Sequence, residues 1–469
     1  MATAATATVV QKFGGSSLAT TEHLRRVARR VARVAASGRR VAVVVSAQGK
    51  TTDNLIRAAG EINPDADGRE LDQLLATGES ASAALTAMAL QRLGTPATAL
   101  SGTQTGILAS GPAGSGVIVA IDTERAERLL DAGQVVVIAG FQGVDQHGDI
   151  ITLGRGGSDT TAVAAAAELG ASHCEIYTDV PGVLSADPRL VPGARLLTRL
   201  DMDVMAEMAF AGAKVMHSRA VELAALCGLD IHVGHSAARS VGTRIHAADP
   251  ALIGAGTALN VTGIHATDGD TMLETQAAVM AVVHDQDAAR VTVRTARNTG
   301  TAENPALTVF RELGRRSVPA DMTSVHEEAG GGHTIALTVP HTRVAAVREF
   351  LAAHAADTAD ALTVDDTVAK VSIVGKGLLS RPQYAARMLS ALNGRGISAG
   401  SFAASQLRIS VTVPRAEVDR AVRLLHTEFE LDAVTGVTTA DATTADGPAS
   451  GATTADGTPL TLASTRENR

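Results

Sequence analysis

The chain contains no tryptophan, and only 2% of its residues are aromatic. A base-stacking surface is therefore not expected. Positive charge is also short: 41 lysines and arginines against 49 aspartates and glutamates leave a net charge of −8, so no nucleic-acid partner is expected. Cys174 and Cys227 are too few for a disulfide framework or a cysteine metal site, and are expected as buried thiols. Apolar runs such as residues 135–141 fall far short of the roughly 20 residues a membrane span needs. No Lys or Arg precedes Lys12 to open a signal peptide, so a cytoplasmic chain without membrane contact is expected. What is abundant is small apolar volume. With 45% hydrophobic residues over 469 positions, the chain can fill two or three domain cores, built largely from Ala and Val.

The first half alternates Val/Ile-rich runs with longer Ala-rich periodic segments, as buried parallel strands and crossover helices do. The fold class is α/β. Strands are expected at residues 9–12, 41–45, 135–139 and 174–177. A helix capped by Thr20 or Thr21 carries the stripe Leu24, Val27, Ala28, Val31 and Val34, and others are expected at 70–93, 123–131 and 160–169. The pattern loosens over 243–256, a boundary closing a first domain of residues 8–250. Shorter elements then form two small βα modules, at 260–365 and 366–436. From 437 to 469, Thr-Thr-Ala-Asp recurs three times among Gly, Pro and Ser, and this tail is expected to be disordered.

Two phosphate motifs can be set aside. Gly49-Lys50-Thr51 imitates the end of a P-loop, but Val44 stands where its first glycine belongs. The stretch from Gly154 to Asp159 imitates a dinucleotide loop, but ends on an acid where a pyrophosphate needs glycine. More informative is Lys12-Phe13-Gly14-Gly15-Ser16-Ser17, a strand end running into a helix. Glycines let backbone N–H groups approach phosphate oxygens, and a lysine there can neutralise a transferring phosphoryl group. In Gly154-Arg155-Gly156-Gly157-Ser158-Asp159, Arg155 can fork a carboxylate and Asp159 can order Lys12, although Ser158 or Asp159 could equally cap a helix. Glu79 reads as the opening of an Ala-rich helix, where an acid can be just a dipole partner. Lys214 reads as a helical cation. The loop from Tyr177-Thr178-Asp179 to Asp187-Pro188-Arg189 has the mixed polarity to hold a purine and ribose, or is simply a turn. His232 and His235, three apart on a strand, face opposite ways and are not expected to share a metal.

Taken in order, the Lys12 to Ser17 run, Val45-Ser46-Ala47, Thr77-Gly78-Glu79, Gly140-Phe141-Gln142-Gly143, Thr152 to Thr161, Thr178-Asp179-Val180 and Gly212-Ala213-Lys214-Val215 resemble the aspartate kinase family. The resemblance is close over residues 8–250 and reaches more weakly to about 435. It implies an amino-acid-kinase fold, a largely parallel sheet between helices, followed by two ACT-type modules that pair the chain into a homodimer or higher oligomer. It also implies transfer of the γ-phosphoryl of ATP, with Mg²⁺, to the β-carboxylate of L-aspartate. Lys12 and Asp159 would be catalytic, and Ser46, Thr52, Glu79, Arg155 and Ser158 would surround aspartate. Glu79 would meet its amino group and Arg155 its α-carboxylate. The nucleotide would lie against Lys12, Phe13, Gly14, Gly15, Ser17, Tyr177, Thr178, Asp179, Val183, Leu184, Ser185, Ala186, Asp187, Pro188, Arg189 and Lys214. No resident metal site is implied.

The chain departs from the family pattern at Lys50, Ser80, Pro181, Leu184 and Ser218, where Asp, Arg, Asp, Tyr and Pro are usual. Those at Lys50, Pro181 and Leu184 point to the alternative of a degenerate or regulatory paralogue that binds amino acid or nucleotide without useful turnover. The retained Lys12, Glu79, Arg155 and Asp159 point to the enzyme. In the first module Asn298-Thr299-Gly300-Thr301 replaces the family's Asp-x-Pro-Gly turn, after an insertion before Arg290. Pro319-Ala320-Asp321-Met322 stands for Asn-Ile-Asp-Met, Val325 replaces a polar residue, and Arg381-Pro382-Gln383 replaces a Pro-Gly. Weak or absent feedback control by lysine or threonine is expected.

Overall fold

Residues 41–45 are sealed on both faces, which is why the strand Arg40–Val45 reads as an unbroken apolar run rather than an alternating one. It lies near the middle of an eight-stranded sheet in the computed structural model, which describes residues 7–238, 241–246, 279–295, 305–328, 332–358 and 361–432. The strand order is Arg199–Asp201, Thr243–His246, Asp230–His235, His173–Thr178, Thr8–Phe13, Arg40–Val45, Val135–Ala139 and Ala97–Leu100. Every pairing is parallel except that of Asp230–His235 with Thr243–His246. Alternate side chains serve opposite faces. Val41, Val43 and Val45 pack with the helices Thr21–Ala36 and Gly68–Arg92, while Ala42 and Val44 share a core with the helix Gly157–Glu168. The α/β expectation holds. Thr20 caps its helix by accepting the His23 N–H, as expected.

Sequence periodicity did not signal a second, four-stranded sheet ordered Val117–Ile121, Ile107–Ser110, Gln142–Val144, Ile150–Thr152. Its strands are too short for a periodic signal. It leads directly into the Gly154 to Gly156 loop. Towards the C-terminus lie two antiparallel four-stranded sheets, each backed by two helices. One joins Asp321–Glu327, His333–Pro340, Ala288–Thr295 and Ala361–Asp365, with Pro305–Arg315 and Val344–Thr358 packed on it. The other joins Val279–Asp285, Val368–Gly375, Arg408–Pro414 and Phe402–Ala404, with Pro382–Asn393 and Val418–Glu428. Val279–Asp285 therefore pairs with the later module although it precedes the earlier one in the chain.

Cys174 is buried as expected, but Cys227 is exposed, because the helix Ser218–Cys227 turns its last residue outward. Among the described residues no helix is long and apolar enough to cross a membrane. The tail 437–469, the turn at 298–301 and residues 247–256 of the expected boundary lie outside the described residues.

Candidate active site

Parallel strands place their following loops along one sheet edge, and the residues singled out by motif meet there. Lys12 precedes the last residue of Thr8–Phe13. Its ammonium lies 2.6 Å from Oδ1 of Asp159, both side chains being about nine-tenths buried. Asp159 sits in the first turn of Gly157–Glu168, but the cap of that helix is Gly156, at φ +72°, with no side-chain capping bond. The carboxylate is thus free of capping duty, correcting one of the two readings open from sequence. It holds Lys12 and accepts the His217 backbone N–H at 3.3 Å. After Lys12 the chain turns through Gly14 and Gly15. A Cβ on Gly15 would come within 2.6 Å of the Ala47 carbonyl, so only glycine lets the two loops approach so closely. The Ser17 hydroxyl is buried here without a hydrogen-bond partner among the described residues.

Glu79 lies in the middle of Gly68–Arg92, not at its start. A helix-dipole role is therefore ruled out, since that effect is confined to the end turns. Its Oε1 accepts the Ala47 N–H at 3.0 Å, and Oε2 is buried with no partner among the described residues. Burial pushes its carboxyl up from 4.5 to about 7. A buried half-satisfied carboxylate is a strong site for an ammonium. Ser46 leaves the strand Arg40–Val45 beside it, its N–H bonded to the Phe13 carbonyl, and Thr52 stands in the first turn of Thr51–Ile62. Ser158 is buried next to Asp159.

Arg155 is exposed and makes no ion pair with any described residue, although the loop carrying it is held on both sides. Asp72, almost wholly buried, accepts from Thr152 N and Oγ1 and from Gly114 N. Arg219 donates to the carbonyls of Leu153 and Gly116 at 2.8 and 3.0 Å. A free guanidinium on a braced loop suits a carboxylate ligand.

Next to this centre, reached through the Gly14 N–H to Tyr177 carbonyl bond, is a cavity of ≈ 430 Å³. Its size falls in the range of small-molecule and cofactor sites. Thr178, Asp179, Val183, Leu184, Ala186, Asp187, Pro188, Arg189 and Lys214 line it. Lys214 is not helical: Gly212, at φ +120°, ends Met202–Ala211, and Lys214 lies in the connection to the next helix. Seven expected residues do not line the cavity: Lys12, Gly14, Gly15 and Ser17 belong to the neighbouring loop, and Phe13, Tyr177 and Ser185 are turned away from it. Phe13 and Tyr177 are buried and stacked at 5.0 Å, with the Tyr177 hydroxyl engaged by Arg30 and Glu175. Ser185 is fully buried and bonded to C-terminal residues.

Residues 7–235 match the Amino acid kinase family and residues 371–429 an ACT domain. The chain is 39% identical over 431 residues to the aspartokinase of Mycolicibacterium smegmatis, covering 91% of this chain and 96% of that one. It is 39% identical over 430 residues to the aspartokinase of Thermus thermophilus, with 91% and 99% covered. The chain belongs to the aspartokinase family. Its fold agrees with that of E. coli aspartokinase III in complex with aspartate and ADP, with a TM-score of 0.72 at 22% identity over 90% of this chain and 99% of that one. For an aspartokinase, the residues that motif reading missed are the supports and the far wall. Asp72 and Arg219 brace the Arg155 loop, and Met208, Val282, Val283 and His284 complete the cavity. Asp72 and Arg219 carried no local signal, being an ordinary acid and base on helices. The cavity wall comes from segments distant in sequence.

Proposed function

We propose that this chain catalyses transfer of the γ-phosphoryl group of ATP to the β-carboxylate of L-aspartate, giving 4-phospho-L-aspartate and ADP. The observation that carries this reading is the Lys12–Asp159 pair at the same sheet edge as a buried, half-satisfied Glu79 and an Arg155 unpaired among the described residues. One anion and one cation orient a zwitterionic amino acid. Glu79 takes the α-ammonium and Arg155 the α-carboxylate, leaving the β-carboxylate to face the nucleotide, with Ser46, Thr52 and Ser158 alongside. That carboxylate is already ionised near neutral pH, so no general base is needed. A β-carboxylate oxygen bonds to the γ-phosphorus as the bond to the β,γ-bridging oxygen breaks, and ADP leaves. Lys12 and the Gly15 N–H neutralise charge on the moving phosphoryl group, the Gly14 N–H being held by the Tyr177 carbonyl. Asp159 keeps Lys12 in position.

The nucleotide occupies the ≈ 430 Å³ cavity, with Lys214 and Thr178 among its contacts. Among the described residues no cluster of three or more His, Cys, Asp or Glu could hold a metal. Mg²⁺ would neutralise phosphate charge there; Asp179 and Asp187 are the carboxylates lining the cavity, and Asp187 is already paired with Arg189, which leaves Asp179 to hold the ion. An aspartyl-hydroxamate assay with ATP, Mg²⁺ and a panel of amino acids tests the reading. Product with aspartate alone supports it, and no product with any amino acid removes it. The domain reading of a catalytic unit over 8–250 with two C-terminal modules, joined into a dimer through those modules, belongs to the same proposal.

Glu79 gives a pH prediction. In the free protein its carboxyl sits near 7, above the ordinary 4.5, so its contribution to stability is full below 4.5 and lost as pH rises through 7. Aspartate needs the ionised form. Its KM is therefore expected to rise about tenfold per pH unit below 7 while the ATP KM stays level. Glu79→Gln should be more heat-stable than wild type at pH 8, by about 1–3 kcal/mol, and lose aspartate use. A flat aspartate KM between pH 6 and 8 would remove Glu79 from the amine site.

Feedback control is expected to be weak. Asp321, in the segment standing for Asn-Ile-Asp-Met, is already held by Lys370 at 2.8 Å and by Arg408 at 2.7 and 2.9 Å. These cations keep its carboxyl well below the usual range despite burial. A carboxylate saturated by two side chains has little left for an effector ammonium. Activity titrated with lysine, threonine and both together should fall less than twofold at millimolar effector. Strong inhibition below that range would show the site has been rebuilt around other residues.

A further inference from the structure

The segment that lines the cavity has a second face. Between the strands His173–Thr178 and Arg199–Asp201 the chain forms no helix or strand, so its shape comes from what it packs against. Ala186 and Val191 belong to the core of the second C-terminal module, with Ile373, Leu425 and Phe429. The Val282 N–H donates to the Ser185 carbonyl at 2.8 Å, joining the segment to that module's strand Val279–Asp285. Ser185 Oγ accepts the Arg195 N–H at 2.8 Å, donates to the Leu431 carbonyl at 3.1 Å, and lies 2.9 Å from Nε2 of His426. A hydroxyl has one proton, and Leu431 takes it, so His426 must be the donor through Nε2–H. Ser185 and His426 are both fully buried. The same module reaches the cavity directly, since Val282, Val283 and His284 form part of its wall.

We propose that the nucleotide site is a composite of the catalytic domain and the second C-terminal module, in which Ser185 and His426 act as positioning residues that set the nucleotide segment from behind. The proposal rests on reading the cavity as the nucleotide site. Neither residue touches the nucleotide. Each acts by holding Leu184, Ala186 and Asp187 at the cavity wall, where small misplacements weaken binding strongly.

Steady-state kinetics on full-length variants test this, with Leu184→Asp as the control for the cavity itself. His426→Leu, which removes one buried hydrogen bond, is expected to raise the ATP KM about tenfold, and Ser185→Ala, which removes three, at least as much, both leaving the aspartate KM within about twofold. His426→Gln, whose amide can still donate to Ser185, should recover most of the ATP affinity. Hydrogen exchange on the unmodified protein gives a readout independent of variant folding: saturating ADP should protect amides of Val279–Asp285 along with those of residues 183–188. If Leu184→Asp leaves ATP use unchanged, the cavity is not the nucleotide site and both readings fall. If it weakens ATP while Ser185→Ala and His426→Leu do not, or if they raise both KM values equally, the composite site is overturned and the cavity reading stands. Absence of ADP protection in Val279–Asp285 would likewise overturn it.

Discussion

Lys12→Met is expected to lower kcat by about a thousandfold, with the KM for ATP and for aspartate each within about threefold. The reason lies in where the charge sits. Its ammonium is held 2.6 Å from Asp159 and beside Gly14, where a Cβ would meet it at 3.4 Å. It is therefore fixed beside the Gly14 and Gly15 turn before substrate arrives, and under the proposed reaction needs no reorganisation as negative charge builds on the phosphoryl group. An interaction stronger in the transition state than in the ground state appears in kcat, not in KM. The substitution should also cost stability. Removing one member of a buried ion pair leaves the other charged and unpaired, typically about 3–5 kcal/mol. Lys12→Met combined with Asp159→Asn should restore most of the melting temperature without restoring kcat. An ADP-release assay and a thermal melt separate the two effects. A variant with undiminished kcat would take Lys12 out of the reaction.

Arg155→Ala is expected to behave oppositely, raising the aspartate KM by about 10- to 100-fold while ATP binding and melting temperature hardly change. A charge-assisted, two-pronged contact to a carboxylate is worth about 1.5–3 kcal/mol. Arg155 is exposed and unpaired among the described residues, so its removal leaves no buried charge behind. The loop itself keeps its shape, because Asp72 and Arg219 hold it through Thr152 and the Leu153 carbonyl. Arg155→Lys should recover only part of the loss, since an ammonium cannot fork a carboxylate. Isothermal titration with aspartate, with and without a non-hydrolysable nucleotide, measures this. Equal weakening of both ligands, or of neither, would count against placing aspartate's α-carboxylate at Arg155. Together with Lys12→Met, this yields one variant that loses rate and stability and one that loses only substrate affinity.

Much of the centre was legible in the chain because its chemistry is local. Lys12, Gly14 and Gly15 act as neighbours, and a strand end followed by glycines leaves few other uses for a lysine. The apolar run at 41–45, β-branched at four of its five positions and alternating with Ala-rich helical segments, fits a strand covered on both faces and so the α/β class. The folded parallel sheet then brings the Lys12, Ser46 and Thr178 loops together, since each follows its strand at the same edge.

Tertiary structure decided what depends on partners far along the chain. Glu79 looks like any helical acid until Ala47 takes one of its oxygens and burial strips water from the other. Lys214 reads as a helical cation because the stop at Gly212 is a backbone conformation, not a composition. Ser185 reads as one more nucleotide contact, since nothing in a loop sequence says which face each side chain takes. Its partners Leu431 and His426 come from the far end of the chain. The exchange of Val279–Asp285 into the later module was equally hidden, because an edge strand pairs through backbone groups that every residue carries. Local patterns thus determined the elements and the chemistry at the strand ends. Desolvation, hydrogen-bond partners and the choice among backbone pairings are properties of the folded chain, and they decided which of those residues face the site and which hold it in place.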